Sequence, residues 1–367
     1  TCKHHQSLMI EIPDKISKLI ASHDSFASAQ MGQHNASTMI SLVHKLLVEE
    51  GFGKLIHRNE KSELISVRNG LIHINGEQLK TSIYAHDSEN LQVLRELVSH
   101  FAEEHLSLSE LDWTDSDDVD EGSLPPNCKI AKVVGVERYG QQFIRVTLSA
   151  EKLDRYTHVG LHFRIGIPPI ERKPVWPTLS KNGRTVWAKG EDKLHLPAYT
   201  TVSVDLKRNE LVFDLFAHHN GPACAWAEGL LRGTESREEI LLSGPGGGWI
   251  PPTKKLLIAG DETALPAIRR TLATVKASDD IIAFIELENL LDIKLVAVEC
   301  EHYVTFLDRS RGESLSEAIS TLEDSQLEDR YLWFAGEKVD ADTVRKKANS
   351  YWNIPKEQRY VAAYWKR

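Results

Sequence analysis

The run Lys254–Ile268, KKLLIAGDETALPAI, constrains this chain more than any other stretch. Leu256-Leu257-Ile258 is a short apolar run that reads as a buried strand. Gly260 allows a sharp turn after it. Asp261 and Thr263 are candidate N-caps for a helix that starts near Ala264. Strand, tight turn and helix start bring free backbone N–H groups and the positive end of a helix dipole to one point, where a phosphate can be held. Turns of this kind occur throughout α/β domains, so the rest of the chain has to say what this one serves.

From Lys254 onward, strand and helix patterns alternate. Strands are expected at Leu256–Ile258, Ile281–Ile285, Lys294–Val298 and Tyr331–Ala335, and helices at Ala264–Val275, Ser314–Thr321 and Asp340–Tyr351. That succession predicts a parallel sheet. The preceding region has a different texture. Ile130–Val136, Phe143–Leu148, Val159–Ile165, Thr200–Leu206 and Leu211–Phe216 are short and rich in β-branched or aromatic residues. Loops such as Lys173–Pro177 and Lys181–Arg184 separate them, and together they predict a small antiparallel barrel. Gly244-Pro245-Gly246-Gly247-Gly248 lacks the Lys-Ser/Thr ending of a P-loop and reads as an interdomain turn.

The acidic stretch Asp112–Pro126, ending in Pro-Pro, reads as a linker. Ahead of it, Met39, Leu42, Val43, Leu46 and Leu47 have helical spacing, and Leu64–Val67 and Leu71–Ile74 have strand character. A second amphipathic helix spans about Glu89–Glu104, with Leu91, Leu94, Leu97, Val98 and Phe101 on one face. The expected layout is therefore a small N-terminal α+β domain at 1–111, a linker at 112–126, a barrel at 127–250 and a parallel-sheet α/β domain at 251–367. A length of 367 residues suits two or three domains.

A net charge of −9 argues against a general nucleic-acid binder. Cys2, Cys128, Cys224 and Cys300 are far apart, with no CxxC pair and no zinc spacing, as expected in a reducing cytoplasm. No apolar run is long enough to span a bilayer, and Thr1-Cys2-Lys3-His4-His5 does not read as a signal peptide. No acid–base dyad, covalent nucleophile or metal site is read from the residues.

Several blocks, in order, resemble the siderophore-interacting proteins, a bacterial family of FAD-dependent ferric-siderophore reductases with a ferredoxin-reductase-like layout. They are Phe143–Leu148, Trp176-Pro177 through Asn182–Trp187, Tyr199-Thr200, Asp214 with His218 and Gly221–Ala227, and Gly244-Pro245. Gly260–Ala267, Trp333–Glu337 and Tyr364–Arg367 complete the series. The resemblance covers roughly Lys129–Arg367. It implies an FAD-binding barrel and an α/β domain that binds NADPH or NADH. Tyr199 is then expected to stack on the isoalloxazine and Thr200 to bond its polar edge, with Thr201 and Val202 as further cofactor contacts. Gly221, Pro222, Ala223, Cys224 and Trp226 are expected around the diphosphate, and His218 at phosphate or ribose. Gly260, Asp261, Glu262, Thr263, Ala264, Gly336 and Glu337 are expected at the nicotinamide nucleotide, and Trp365 over the flavin or nicotinamide face. Read from the residues alone, Tyr199 also suits a buried barrel tyrosine, and Trp365 suits an aromatic that docks the last strand.

The resemblance further implies electron flow from NAD(P)H through FAD to the Fe(III) of a ferric siderophore, releasing Fe(II) for iron acquisition. Arg172, Lys173, Lys181 and Arg184 are the basic residues expected to meet an anionic ferric chelate; a solvated loop is the plain alternative. Four positions depart from the family pattern. Pro197 stands where its motif begins with Arg, Val202 where a second Arg is common, and Cys224 where Ser or Gly is usual. Ala363 replaces a Gly before the closing Tyr-Trp. FAD is then held by other groups such as Lys181, Arg184 or His195, or the chain is a non-catalytic siderophore- or nucleotide-binding protein on the same fold. A flavin reductase for another acceptor is the third reading. The N-terminal region, best over Ile83–Glu104, resembles a small bacterial domain of unknown function that is found alone or fused to siderophore-interacting proteins.

Overall fold

The computed structural model describes residues 14–106, 111–115, 119–217, 221–251, 254–276, 278–296 and 304–366. It divides into two compact units: residues 1–127 with 176–188, and residues 128–175 with 189–367.

The first unit is a six-stranded antiparallel sheet with helices. Its strands are β1 (Ser25–Gln30), β2 (Gly53–Arg58), β3 (Ser62–Val67), β4 (Gly70–Asn75), β5 (Lys80–Ala85) and β6 (Trp113–Asp115), in the order β2-β3-β4-β5-β1-β6. Helix α1 is Asp14–Ala21, α2 is Gln33–Val43, continued by a wider turn over His44–Glu49, and α3 is Ser88–Leu106. Leu91, Leu94, Val98 and Ala102 recur every three or four residues along α3 and pack with Met39 and Val43 of α2 on Ile65, Ile72 and Ile83 of the sheet. The opposite face of the sheet carries Leu64, Leu71 and Tyr84, packed with Ile16 and Ile20 of α1. The expected linker is corrected in part, because Trp113–Asp115 forms the edge strand β6. One aromatic side chain outweighs the acidic surroundings: Trp113 is buried and its Nε1 donates to Ser99 Oγ at 2.9 Å.

In the second unit, β7 (Cys128–Tyr139), β8 (Phe143–Ser149), β9 (His162–Gly166), β12 (Ala198–Asp205), β13 (Glu210–Phe216) and β14 (Glu239–Gly246) close a barrel in the order β12-β13-β8-β7-β14-β9. Between β9 and β12 the chain leaves for the first unit, where β10 (Thr178–Leu179) and β11 (Thr185–Val186) form a hairpin. Helix α4 (Pro222–Arg232) follows β13. Gly244-Pro245 lies inside β14, not in the interdomain turn expected for it, since β14 is needed to bridge β7 and β9.

The α/β layer has strands β15 (Lys255–Gly260), β16 (Asp280–Leu287), β17 (Val304–Asp308), β18 (Tyr331–Glu337) and β19 (Arg359–Trp365), all parallel, in the order β17-β16-β15-β18-β19. Helices α5 (Leu265–Leu272), α6 (Leu315–Ser320), α7 (Asp324–Leu327) and α8 (Lys338–Ser350) connect them. Leu256, Ile258, Trp333 and Ala335 point to one side, and Leu257, Ala259, Leu332 and Phe334 to the other. Burial on both faces is why these strands read as unbroken apolar runs. The strand expected at Lys294–Val298 is corrected: Leu290–Val296 forms helical turns, and the third strand is β17. Ala297 and Val298 lie outside the described residues. Tyr139, Phe143 and Phe216 of the barrel join the core around Trp333, which makes barrel and layer one unit.

His73 supplies a test of the first unit. It is 3 % exposed, and its Nε2 lies 2.9 Å from Ser62 Oγ. Burial, with His57 nearby, pushes it down from 6.5 to about 4. The folded ring stays neutral where the unfolded one takes a proton, so stability falls as the pH drops from 6.5 toward 4. The full effect is roughly 3 kcal/mol. Between about pH 7 and about pH 4.5, urea unfolding should show a loss in His73→Asn that is smaller by about that amount than in the wild type.

Candidate functional site

The sequence-derived residues fall into two groups within the second unit. The first lies on β12 and at the start of α4. Gly221 is the N-cap of α4, extended at φ −90°, ψ 150°, and Pro222 follows at the first helical turn. Among the described residues no side chain caps this terminus, and a Cβ on Gly221 would meet nothing within 4 Å. A helix start of this kind is a place for a phosphate. Thr201 Oγ1 on β12 is buried and has no hydrogen-bond partner among the described residues, a cost that a bound polar ligand would remove. These two features fit a dinucleotide with a diphosphate and a polar ring edge.

Tyr199 lies 4.9 Å from the Phe213 ring and packs with the barrel core. Burial, with Cys224 nearby, pushes its phenol well above its ordinary value. Cys224 donates its thiol to Phe216 O at 3.6 Å. Val202 is half-buried between Thr201 and Ser203, where the β12–β13 register shifts. Trp226 is fully buried and donates Nε1 to Arg237 O at 3.0 Å, so it builds the barrel core and does not reach a ligand. Ala223 is buried on the inner side of α4. His218 lies outside the described residues.

The second group gathers at the carboxyl ends of β15, β18 and β19. A Cβ on Gly260 would stand 2.6 Å from Ala264 Cβ and 2.7 Å from Ala335 O, so only glycine fits there. Asp261 caps the turn that follows: its Oδ1 accepts from Thr263 N at 2.9 Å and from Thr263 Oγ1 at 2.6 Å. Its Oδ2 accepts from Trp365 Nε1 at 2.7 Å. Gly336 passes closely enough that a Cβ would lie 3.1 Å from that oxygen. Glu337 caps α8 by accepting from Val339 N at 2.7 Å. Glu262 turns inward, accepting from Arg309 Nη2 at 2.6 Å and from Glu288 N at 2.5 Å. The structure therefore brings Gly260–Ala264, Gly336, Glu337 and Trp365 together, with Glu262 and Glu337 occupied by structural bonds.

Residues that sequence reasoning missed join the two groups. His162 on β9 places Nδ1 3.2 Å from Thr200 Oγ1 and Nε2 2.8 Å from Tyr364 OH. Burial, with Arg270 nearby, pushes this histidine down to about 4, so at neutral pH one ring nitrogen donates and the other accepts. Arg270 of α5 donates to Thr201 O at 3.1 Å. Arg145 binds Asp214 through Nε at 2.7 Å and Nη2 at 2.8 Å, with its guanidinium 3.5 Å above the Tyr139 ring. A histidine in an apolar strand announces no partner some two hundred residues away, which is why the pattern gave no sign of it.

The four basic residues expected to meet a ferric chelate are divided between the two units. Arg172 pairs with Glu191 at 3.0 Å and Asp192 at 2.8 Å. Lys173 is exposed in the second unit. Lys181 and Arg184 belong to the first unit, where Arg184 binds Glu96 and Glu103. His195, the other expected FAD contact, exchanges backbone hydrogen bonds with Ile167.

Arg309 holds the nucleotide-loop end of the layer. It binds Glu262 at 2.6 Å and Glu286 at 2.5 Å, both carboxylates being almost fully buried. Burial works against its charge, but the bonds to Glu262 and Glu286 hold it firmly as a cation. Arg309→Ala leaves two buried carboxylates without a counter-charge. Urea unfolding should show a loss of roughly 3–5 kcal/mol, and the charge-keeping Arg309→Lys a smaller one.

Comparison with known proteins agrees with this geometry. The siderophore-interacting FAD-binding domain matches residues 132–249, and the siderophore-interacting protein domain matches residues 253–367. Ferric vibriobactin reductase ViuB of Vibrio cholerae is 26% identical over 236 residues, which cover 62% of this chain and 85% of that protein. The siderophore-interacting protein SipS of Aeromonas hydrophila superposes with a TM-score of 0.52 at 20% identity, covering 66% of this chain and 92% of SipS. A siderophore utilization protein of T. fusca gives 0.54 at 22% identity, covering 67% and 95%. Among the described residues no helix is long and apolar enough to cross a membrane. The barrel and the parallel layer are those of the siderophore-interacting proteins, and this chain belongs to that family, with FAD as the cofactor of its barrel domain.

Proposed function

We propose that this chain is a ferric-siderophore reductase that draws electrons from NADH or NADPH and delivers them through FAD to siderophore-bound Fe(III). The observation that carries the reading is the hydrogen-bonded link between the flavin strand and the nucleotide loop: Thr200 to Tyr364 through His162, Thr201 to Arg270, and Trp365 to Asp261. Electron transfer needs donor and acceptor side by side, and a link of this kind within one unit supports that reading. FAD supplies the chemistry that joins a two-electron nucleotide to a one-electron metal.

The protein's own part is to bind and orient. The N-terminus of α4 offers N–H groups to a diphosphate, and Thr200 and Thr201 offer hydroxyls to a polar ring edge. Pro197 and Val202 stand at the family's arginine positions; Arg164 on β9 pairs across from Ala198, and its Nη1 donates to Leu196 O at 3.3 Å. The Fe(III) is substrate. One nucleotide reduces two ferric ions, and Fe(II) binds hard oxygen ligands more weakly, so it leaves the siderophore.

Gly221→Asp separates cofactor binding from folding. The position is open and extended, and Asp is a strong N-cap, so α4 gains stability. The new carboxylate also bonds N–H groups of the helix start and repels a diphosphate. Wild-type protein should keep flavin absorption bands through gel filtration, and these bands should bleach with NADH or NADPH under anaerobic conditions. The variant should fold at least as stably yet bind FAD about tenfold or more weakly. A colourless wild type that cannot be loaded with FAD would contradict the reductase reading and favour a non-catalytic binding protein.

A further inference from the structure

The connection between β9 and β12 is part of the barrel's sequence, yet residues 176–188 pack as part of the first unit. Their bonds with α3 are dense. Gln92 Nε2 and Arg95 Nη1 both donate to Gly183 O, at 3.0 and 2.9 Å, and both side chains are almost fully buried. Gly183 has φ +75°, and a Cβ there would stand 2.4 Å from Arg95 Nη1, so no other residue fits without displacement. The next residue, Arg184, sends Nε to Glu96 Oε2 at 3.2 Å and Nη1 to Glu103 Oε1 at 2.5 Å. Thr185 N donates to the other oxygen of Glu96 at 2.8 Å. On the far limb, Leu179 exchanges backbone bonds with Gly122 and Ser123 at 2.8 Å each.

A solvated surface loop needs none of this. Four polar side chains of α3, Gln92, Arg95, Glu96 and Glu103, are aimed at one short hairpin, and a buried, paired arginine is costly unless its geometry is held. The returning limb then runs into β12, the strand of Tyr199, Thr200 and Thr201. On the way His195 and Ile167 exchange backbone hydrogen bonds at 3.0 and 2.9 Å, so a shift of the hairpin pulls first on a bridge just ahead of Tyr199.

We propose that α3 of the first unit is a mooring for the connection into the flavin strand, with Gly183 and Arg184 as positioning residues, and that FAD affinity depends on it. This rests on the FAD-binding reading of the barrel. The first unit is then neither a detachable module nor a separate activity: it completes itself with a segment of the flavin domain and holds that segment still. An unmoored excursion of this length samples many conformations, and FAD binding must pay their ordering entropy.

The test uses the full chain and two readouts, hydrogen exchange across residues 176–198 and FAD affinity by flavin fluorescence, with far-UV circular dichroism as the folding check. Arg184→Ala and Gly183→Ala should speed exchange throughout the segment and weaken FAD about fivefold or more. Arg184→Lys, which keeps the charge and loses the fork, should fall between wild type and Arg184→Ala. Glu103→Gln, at a partly exposed site that the fold tolerates, should act in the same direction with a smaller size. Faster exchange with unchanged FAD affinity would overturn the coupling, and unchanged exchange would overturn the mooring. A wild type that binds no FAD contradicts the proposed function instead, and the exchange readout then decides the mooring by itself.

Discussion

The missing side chain of Gly260 is the constraint on which the site in the second unit depends. A Cβ there would collide with Ala264 on one side and with the Ala335 carbonyl on the other. Its absence lets β15 end abruptly, turn, and start a helix while still packed against β18. That close turn sets Asp261 where it can cap the helix start and also receive Trp365 from β19. The chain end is thereby tied to the nucleotide loop, and the neighbouring Tyr364 reaches His162 and, through it, the flavin strand. A single glycine thus passes its geometry from one strand end to the whole face where β15, β18 and β19 end.

The acidic character of that face is a consequence of the same packing. Asp261, Glu262, Glu286, Glu337 and Asp340 converge at the strand ends, and burial with Glu286 nearby raises the carboxyl of Asp340. Arg309 answers two of these charges, Glu262 and Glu286. Asp261 and Glu337 are instead held by helix-start N–H groups, which stabilise a carboxylate without a cation.

Much of this architecture was legible from local pattern. The unbroken apolar runs at Leu256–Ile258 and Tyr331–Ala335 announced strands buried on both faces, and Gly260–Ala264 announced a turn into a helix. The barrel strands alternated clearly enough to be counted, except β14, whose Gly-Pro-Gly ending disguised a strand as a turn. The expected strand at Lys294–Val298 misled because aliphatic residues such as those of Leu290–Val296 are also compatible with helical turns. What no local pattern carried is partnership at long range. Arg184 looked like a free cation in a basic loop, and its two carboxylates lie more than eighty residues earlier. His162 and Tyr364 are separated by most of the second unit. Charge and polarity mark a residue as able to pair; only the fold says with what.

Trapping of Fe(II) tests the central claim most directly. The FAD-loaded protein is mixed anaerobically with NADH or NADPH and a ferric siderophore, with a ferrous-specific chromogenic chelator present. The account predicts chelator-bound Fe(II) approaching about two per nucleotide oxidised, and none when FAD is left out. Nucleotide oxidation without Fe(II), or Fe(II) release at the same rate without flavin, would contradict it.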